Sequence, residues 1–249
     1  MPATPIRPIT VSIVSHGQQA LILPLLDQLD RHCARSIEKL VLTVNIPEQD
    51  FVDTTGYKFP IVRIVNPRPR GFGANHNAAF EDCSTEWFLV LNPDIRIDGD
   101  VLAAMQRLAR GDDGVLTPRI LEPGQHQPEP YRGLLTPCEI ILRRRPGYTP
   151  PAQPAWIPGM FMLFRSKTFR GIGGFDLRFF MYGEDFDICA RLQLDGWKVH
   201  AVETVRVRHA AQRASQRNLR HLQWHVTSLL RVWMSRAFWR YRAALLRDT

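Results

Sequence analysis

Four short apolar runs alternating with helical segments dominate the first half of this chain and leave few folds open to it. Ile9–Ser15, Lys39–Asn45, Ile61–Val65 and Trp87–Leu91 are of strand length and rich in β-branched or large apolar residues. Leu21, Leu25, Leu26 and Leu29 recur at helical spacing over about residues 18–34, with Pro24 near the first turns. Gly71-Phe-Gly-Ala-Asn-His-Asn-Ala-Ala-Phe80 reads as a Gly-led turn entering a second helix. Such alternation predicts an α/β fold, a mostly parallel sheet flanked by helices, with a nucleotide-binding layout extending to about Pro118.

The texture changes after that point. Residues 118–158 hold ten of the chain's 19 prolines, which reads as a long functional loop or lid. Structure is expected to resume with a strand at Trp156–Phe164 and a short helix containing Phe169. A helix from Glu184 to Leu194 follows, stopped by Gly196, and then a strand at Trp197–Val202. No glycine follows Gly196 and no proline follows Pro158, so the tail from about Ser215 reads as one uninterrupted helix.

Charge is concentrated at that end. The chain of 249 residues carries 32 Lys+Arg against 24 Asp+Glu. Ten Arg and only two acids, Glu203 and Asp248, lie after residue 200, so the first 200 residues are balanced. A nucleic-acid binder would spread basic charge over its folded body, and nucleic acid is not the expected partner. No apolar run reaches 18 residues, and residues 1–8 lack the pattern of a signal peptide, so a cytoplasmic location is expected. Cys33, Cys83, Cys138 and Cys189 show no Cys-x-x-Cys pair, which predicts free thiols rather than a zinc knuckle or a disulfide framework.

Four constellations offer chemistry. Asn92-Pro93-Asp94 ends an apolar strand, where open α/β sheets bind ligands; a carboxylate there suits a divalent metal on a diphosphate, and equally an Asx turn. Glu184-Asp185 opens a helix after the aromatic run Phe179–Tyr182. These acids read either as a capping device or as a desolvated general base. Asp187 and Arg191, at i,i+4, read as a surface ion pair. Gly71–Asn77 matches neither a P-loop nor G-x-G-x-x-G, yet its glycines admit a ligand to the backbone at a helix start. His209 closes Val205-Arg-Val-Arg-His, and a lone histidine after a strand is seldom a metal ligand.

The order and spacing of these pieces resemble the family 2 glycosyltransferases of the GT-A fold, in the rhamnosyltransferase-like branch that has Asn-Pro-Asp where many relatives have Asp-x-Asp. Val11–Ser15, Gly71–Asn77, Leu91–Asp94, Gly159–Arg165, Gly173–Asp176, Tyr182–Asp187 with Arg191-Leu192, and His209 carry the resemblance, across about residues 9–210. It implies a GT-A catalytic domain over residues 1–215, with 9–118 as the nucleotide-sugar half and 119–215 as the acceptor half. Residues 216–249 would form a basic, aromatic C-terminal amphipathic helix.

The roles it implies are specific. Asp94 would meet a Mg²⁺ or Mn²⁺ ion on the diphosphate, and His209 would complete that metal site. Asp185 would be the catalytic base, with Glu184 beside it. Ser15, His16 and Gly17 would belong to the nucleoside pocket. Arg70, Gly71, Phe72, Gly73, Asn77 and Asn92 would form the rest of the donor site. Asn45 stands where many relatives have an Asp that reads the nucleobase, and Arg70 would add a charge near the diphosphate. The implied reaction is an inverting transfer, with L-rhamnose from dTDP-rhamnose as first guess, onto a glycan or lipid-linked oligosaccharide. The competing readings are an inactive scaffold of the same fold and a basic membrane- or nucleic-acid-binding module.

In the tail, Leu219, Leu222, Val226, Leu229 and Trp233 form a stripe expected to pack on the catalytic body. Trp233, Phe238, Trp239, Tyr241, Leu245 and Leu246 interleaved with Arg231, Arg236, Arg240, Arg242 and Arg247 suit an anionic bilayer surface, at the inner face of the plasma membrane; a homodimer interface is the alternative.

Overall fold

The computed structural model describes residues 7–48, 53–210 and 219–247. Its elements run β1 (Ile9–His16), α1 (Gln19–His32), β2 (Ile37–Ile46), β3 (Ile61–Val65), α2 (Phe72–Phe80), β4 (Trp87–Leu91), β5 (Ile95–Arg96), α3 (Val101–Leu108), β6 (Asp113–Leu121), α4 (Pro137–Leu142), β7 (Phe161–Arg165), α5 (Ser166–Gly171), α6 (Glu184–Leu194), β8 (Lys198–His209), α7 (Leu219–Met234) and α8 (Arg236–Leu245). The strands form one sheet in the order β3-β2-β1-β4-β7-β6-β8-β5. The first four are parallel, as the apolar runs predict. The second half is mixed: β7 runs antiparallel to both β4 and β6, and β5 antiparallel to β8.

Alternation along the strands builds two cores. Trp87, Leu89 and Leu91 of β4 face α1 and α3, packing with Leu25, Leu29 and Met105. Phe88 and Val90 face the other way, onto Phe80, Phe169, Phe186 and Val232 of α2, α5, α6 and α7. The sheet is therefore buried on both sides, with its functional edge left at the carboxyl ends of the parallel strands.

Three expectations change. The Pro-rich stretch is not one loop: β6 enters it as far as Leu121 and α4 lies within it. Pro118 hides β6 from a sequence reading, because it stands at a register shift against β8, where its missing N–H costs little. The strand expected at Trp197–Val202 is the first half of a 12-residue β8 that continues to His209. The C-terminal segment is two helices. Ser235 adopts extended backbone, and its side chain accepts from Phe238 N–H, so it caps α8 in place of continuing α7. The expected helix start near 215–216 lies outside the described residues.

The tail's inward face keeps part of the expected stripe, Leu229 and Trp233 packing on the second core, and departs from it elsewhere. Ser228 and Val232 are buried, Ser228 Oγ donating to Met181 O, while Leu222 and Val226 are 60% and 49% exposed. The side chain of Leu219 lies outside the described residues. All four cysteines are free.

Candidate functional site

The end of β4 and the end of β8 meet through β5. Ile95 pairs with His209 in antiparallel register, and Ala210 N–H donates to Asp94 O at 2.7 Å, which sets the two side chains together. His209 Nε2 is 3.0 Å from Asp94 Oδ2, and its Nδ1 is 2.8 Å from Glu122 Oε1. Burial pulls this imidazole's pKa down, but the Asp94 and Glu122 carboxylates outweigh it and push it up to about 9. Asp94 Oδ1 is buried without a hydrogen-bond partner among the described residues.

Among the described residues no three His, Cys, Asp or Glu side chains converge as a closed cation cage. The Asp94–His209 pair still fits an ion. Two neighbouring ligands each ~2.1 Å from one octahedral ion lie about 3 Å apart, and such ions are commonly held by one or two protein groups plus substrate phosphates. The orphaned Asp94 oxygen is available to such a ligand.

The second half of the site sits at the N-terminus of α6. Glu184 is buried with Oε2 unpartnered, and burial together with the neighbouring Asp185 charge pushes its carboxyl up to about 8. Burial also raises Asp185, opposed by the Arg132 charge and by N–H bonds to Oδ1 from Phe186 (2.8 Å) and to Oδ2 from Gly159 (3.3 Å). The entry to α6 is strained. Tyr182 is left-handed at φ 70°, a conformation costly for a residue with a Cβ. Its hydroxyl lies 2.9 Å from His221 Nδ1 and its ring stacks on His225 at 3.5 Å, so the first turns of α7 hold it there.

One short segment joins the halves. Gly159 N–H reaches Asp185, and the adjacent Met160 O accepts from Asn92 N–H at 2.9 Å. Consecutive residues thus tie the Asn-Pro-Asp turn to the acid pair, with Cα atoms ~3.8 Å apart. Gly159 allows the approach: a Cβ there would stand 3.2 Å from the Phe72 ring.

The remaining predicted residues line or support one flank of this edge. Ser15 Oγ donates to Glu48 Oε1 at 2.8 Å. His16 is half-buried, its Nδ1 2.9 Å from Asn45 Nδ2, and burial with the nearby His221 holds its pKa below the ordinary value. Gly17 takes φ 71° in the turn after β1. The Asn45 amide is fully used: Nδ2 serves His16 and Arg70 O, and Oδ1 accepts from Asn66 and Arg70 N–H. With four of four positions filled it supports the 66–70 turn and has no bond left for a nucleobase. The exposed Arg70 side chain is presented by that turn.

Gly71 and Gly73 admit close neighbours. Cβ atoms there would lie 2.7 Å from Phe180 O and 2.5 Å from Phe175 Cβ, and Phe72 N–H donates to Phe180 O. Asn77 exchanges two hydrogen bonds with the Phe175 backbone, so it pins the Gly-Gly-Phe loop. Asp187 is buried, not a surface residue. Arg191 pairs with it at 2.7 Å while donating to the carbonyls of Ile172 and Gly174, which clips the same loop from behind.

Sequence reasoning missed Glu122, Glu48, Arg132 and the pair His221 and His225. Glu122 had no motif around it, and its partner His209 lies 87 residues away. Arg132 pairs with Glu129 and stacks over Trp156 at 4.8 Å, a position fixed by the isolated bridge between residues 132 and 156. Its charge favours the ionised form of Asp185. Arg132→Met is therefore expected to raise that carboxyl further and move the acidic limb of any Asp185-dependent activity to higher pH, read from a pH–rate profile.

A family model described as glycosyl transferase family group 2 matches residues 141–247. The chain is 25% identical over 245 residues to the rhamnosyltransferase WbbL of Escherichia coli, covering 89% of this chain and 90% of that one. It is 30% identical over 194 residues to an N-acetylglucosaminyl-diphospho-decaprenol L-rhamnosyltransferase of Mycobacterium tuberculosis, covering 69% of this chain and 62% of the relative. Among solved structures it superposes on the mannosyltransferase PcManGT from Pyrobaculum calidifontis in complex with GDP-Man and Mn²⁺. That match has a TM-score of 0.61 at 16% identity, over 86% of this chain and 59% of the other. It also superposes on residues 1–349 of S. aureus TarS in complex with UDP, with a TM-score of 0.58 at 15% identity, over 81% and 60%. The chain spans less than two thirds of either solved chain, and at these identities the likeness is one of fold.

Proposed function

We propose that this chain, a family 2 glycosyltransferase of the GT-A fold, moves a sugar from a nucleoside diphosphate to an acceptor hydroxyl in one inverting displacement. The observation that carries the reading is the 159–160 segment, which sets a desolvated acid pair beside an Asp–His pair with a free carboxylate oxygen. Such a site has one face for a proton and one for a leaving group.

Asp185 accepts the acceptor hydroxyl's proton while that oxygen attacks the anomeric carbon. Gly159 and Phe186 N–H orient this half-buried carboxylate. Burial and the neighbouring Asp185 charge push Glu184 up to about 8, which favours its neutral form beside an ionised Asp185. Asp94 and His209 would hold a Mg²⁺ or Mn²⁺ ion, which as a Lewis acid neutralises charge on the departing diphosphate. The glycines of the 71–73 helix start are packed against Phe180 and Phe175, so the exposed Arg70 is the group of this turn that would meet the diphosphate, with Ser15 to Gly17 on the nucleoside side.

The names of the curated relatives support L-rhamnose as the sugar, with dTDP as its carrier the first guess, and a diphospho-polyprenol-linked saccharide as the acceptor. The test is release of nucleoside diphosphate from a panel of nucleotide sugars, with Mn²⁺ and an N-acetylglucosaminyl-diphospho-lipid. Acceptor-dependent turnover of dTDP-rhamnose alone is the expected result. Turnover of none of the panel contradicts the reading.

No helix among the described residues is long and apolar enough to cross a membrane. Contact with an anionic bilayer is supported by Leu222, Val226, Leu230 and Met234, which lie four apart along α7 and are all exposed, Met234 by 75%. Exposed Arg231, Arg236 and Arg240 flank the lower end of this ridge. Replacing Leu230 and Met234 by Glu is expected to abolish co-flotation with phosphatidylglycerol-containing vesicles. Unchanged flotation would exclude this face. Loss of a dimer in sedimentation by the same variant, without vesicle binding by either form, would assign the ridge to a second copy.

A further inference from the structure

We propose that Glu122 is a positioning residue for the cation site: it fixes the His209 ring so that Nε2 faces the place beside Asp94 that an ion would take. The inference rests on the reading of Asp94 and His209 as cation ligands. Its geometry is independent of any motif. In the parallel pairing of β6 with β8, Leu121 stands opposite Arg208, so the next residues, Glu122 and His209, come side by side at the end of that ladder. The 2.8 Å contact from Glu122 Oε1 to Nδ1 uses one ring nitrogen, and the other is 3.0 Å from Asp94 Oδ2.

The three side chains are only 15–19% exposed, so water offers little competition for either contact. A neutral imidazole carries one N–H. In the structure both ring nitrogens face carboxylates; an ion at Asp94 would replace the proton on Nε2, and with Nδ1–H still donated to Glu122 the lone pair would then lie on Nε2, the form a metal ligand needs. A carboxylate in that second position also makes the ring a stronger donor than a backbone carbonyl would, and loss of such partners weakens metal binding by about 10- to 100-fold. Glu122 thus explains why an otherwise isolated histidine at the end of a strand can serve as a ligand: the ring is held from behind before any ion arrives.

The experiment is titration of the purified full-length chain with Mn²⁺, followed by electron paramagnetic resonance of free Mn²⁺, with and without dTDP. Glu122→Ala is expected to weaken Mn²⁺ binding about 10- to 100-fold. Glu122→Gln, whose amide oxygen still accepts from Nδ1–H, is expected to retain most of the affinity. Should the alanine variant not fold, Glu122→Met fills the volume without accepting a hydrogen bond and carries the comparison. If Asp94→Ala weakens Mn²⁺ binding and Glu122→Ala or Glu122→Met does not, the positioning role is overturned and the cation site stands. If Asp94→Ala leaves Mn²⁺ binding unchanged, the cation reading itself fails, and this inference with it.

Discussion

Asp185→Asn is expected to lower kcat by about 10²- to 10⁴-fold, the range that a positioned general base contributes. The loss should fall on kcat, with donor affinity close to that of the wild type, because the proposed base acts on the acceptor hydroxyl and not on the nucleotide. Glu184→Gln should behave differently. Burial and the Asp185 charge push Glu184 up and favour its neutral form, so a neutral isostere is expected to keep most of the activity.

The pH dependence follows with a defined sign. Burial raises Asp185 above the ordinary aspartate value, and the base works only when ionised. Activity therefore falls as pH drops through a limb displaced upward from the usual carboxylate range near 4. Equal losses in Asp185→Asn and Glu184→Gln, measured as kcat over a pH series, would reassign the base.

Asp94→Asn carries the second large effect. Lewis-acid stabilisation of the leaving diphosphate supplies several kcal/mol, so kcat is expected to drop by about 10²- to 10³-fold. Two signs distinguish this from a folding defect. Mn²⁺ should no longer stimulate the variant, and its thermal midpoint should no longer rise on adding Mn²⁺ with nucleotide. The substitution keeps the shape of the side chain and the backbone contact of residue 94 to Ala210, and the asparagine amide oxygen can still accept from His209 Nε2–H. A variant that still responds fully to Mn²⁺ would remove Asp94 from the cation site.

Much of the donor half was legible because its strands are uninterrupted apolar runs and its glycines announce turns. Asn92-Pro-Asp94 and Glu184-Asp185 were visible for a related reason, since each closes or opens an element whose end the sequence marks. What the sequence could not display is what long-range pairing decides. Glu122 meets His209 only because β6 and β8 run parallel, and β6 itself was masked by Pro118 at a bulge. Asn45 and Asn77 look like donor contacts in a linear reading. The Asn45 amide is in fact taken up by His16, Asn66 and the Arg70 backbone, and that of Asn77 exchanges two bonds with the Phe175 backbone.

The tail shows the same limit. A run without Pro or Gly looks like one helix, yet a serine hydroxyl can cap a new one, and Ser235 does so. That elbow leaves Met234 exposed beside Arg236, while α8 returns to bury Phe238 and Tyr241 against α6. Part of the basicity that dominates the end of the sequence thus flanks an exposed apolar ridge, and the site itself relies on a balanced set of local charges.

The central claim is a single displacement driven by Asp185 against a diphosphate held at Asp94. Its most direct test is the anomeric configuration of the first-formed product, read by nuclear magnetic resonance with dTDP-rhamnose and an N-acetylglucosaminyl-diphospho-lipid. Inversion relative to the donor, lost together with turnover in Asp185→Asn, is the result this account predicts. A product that retains the donor's configuration would contradict it.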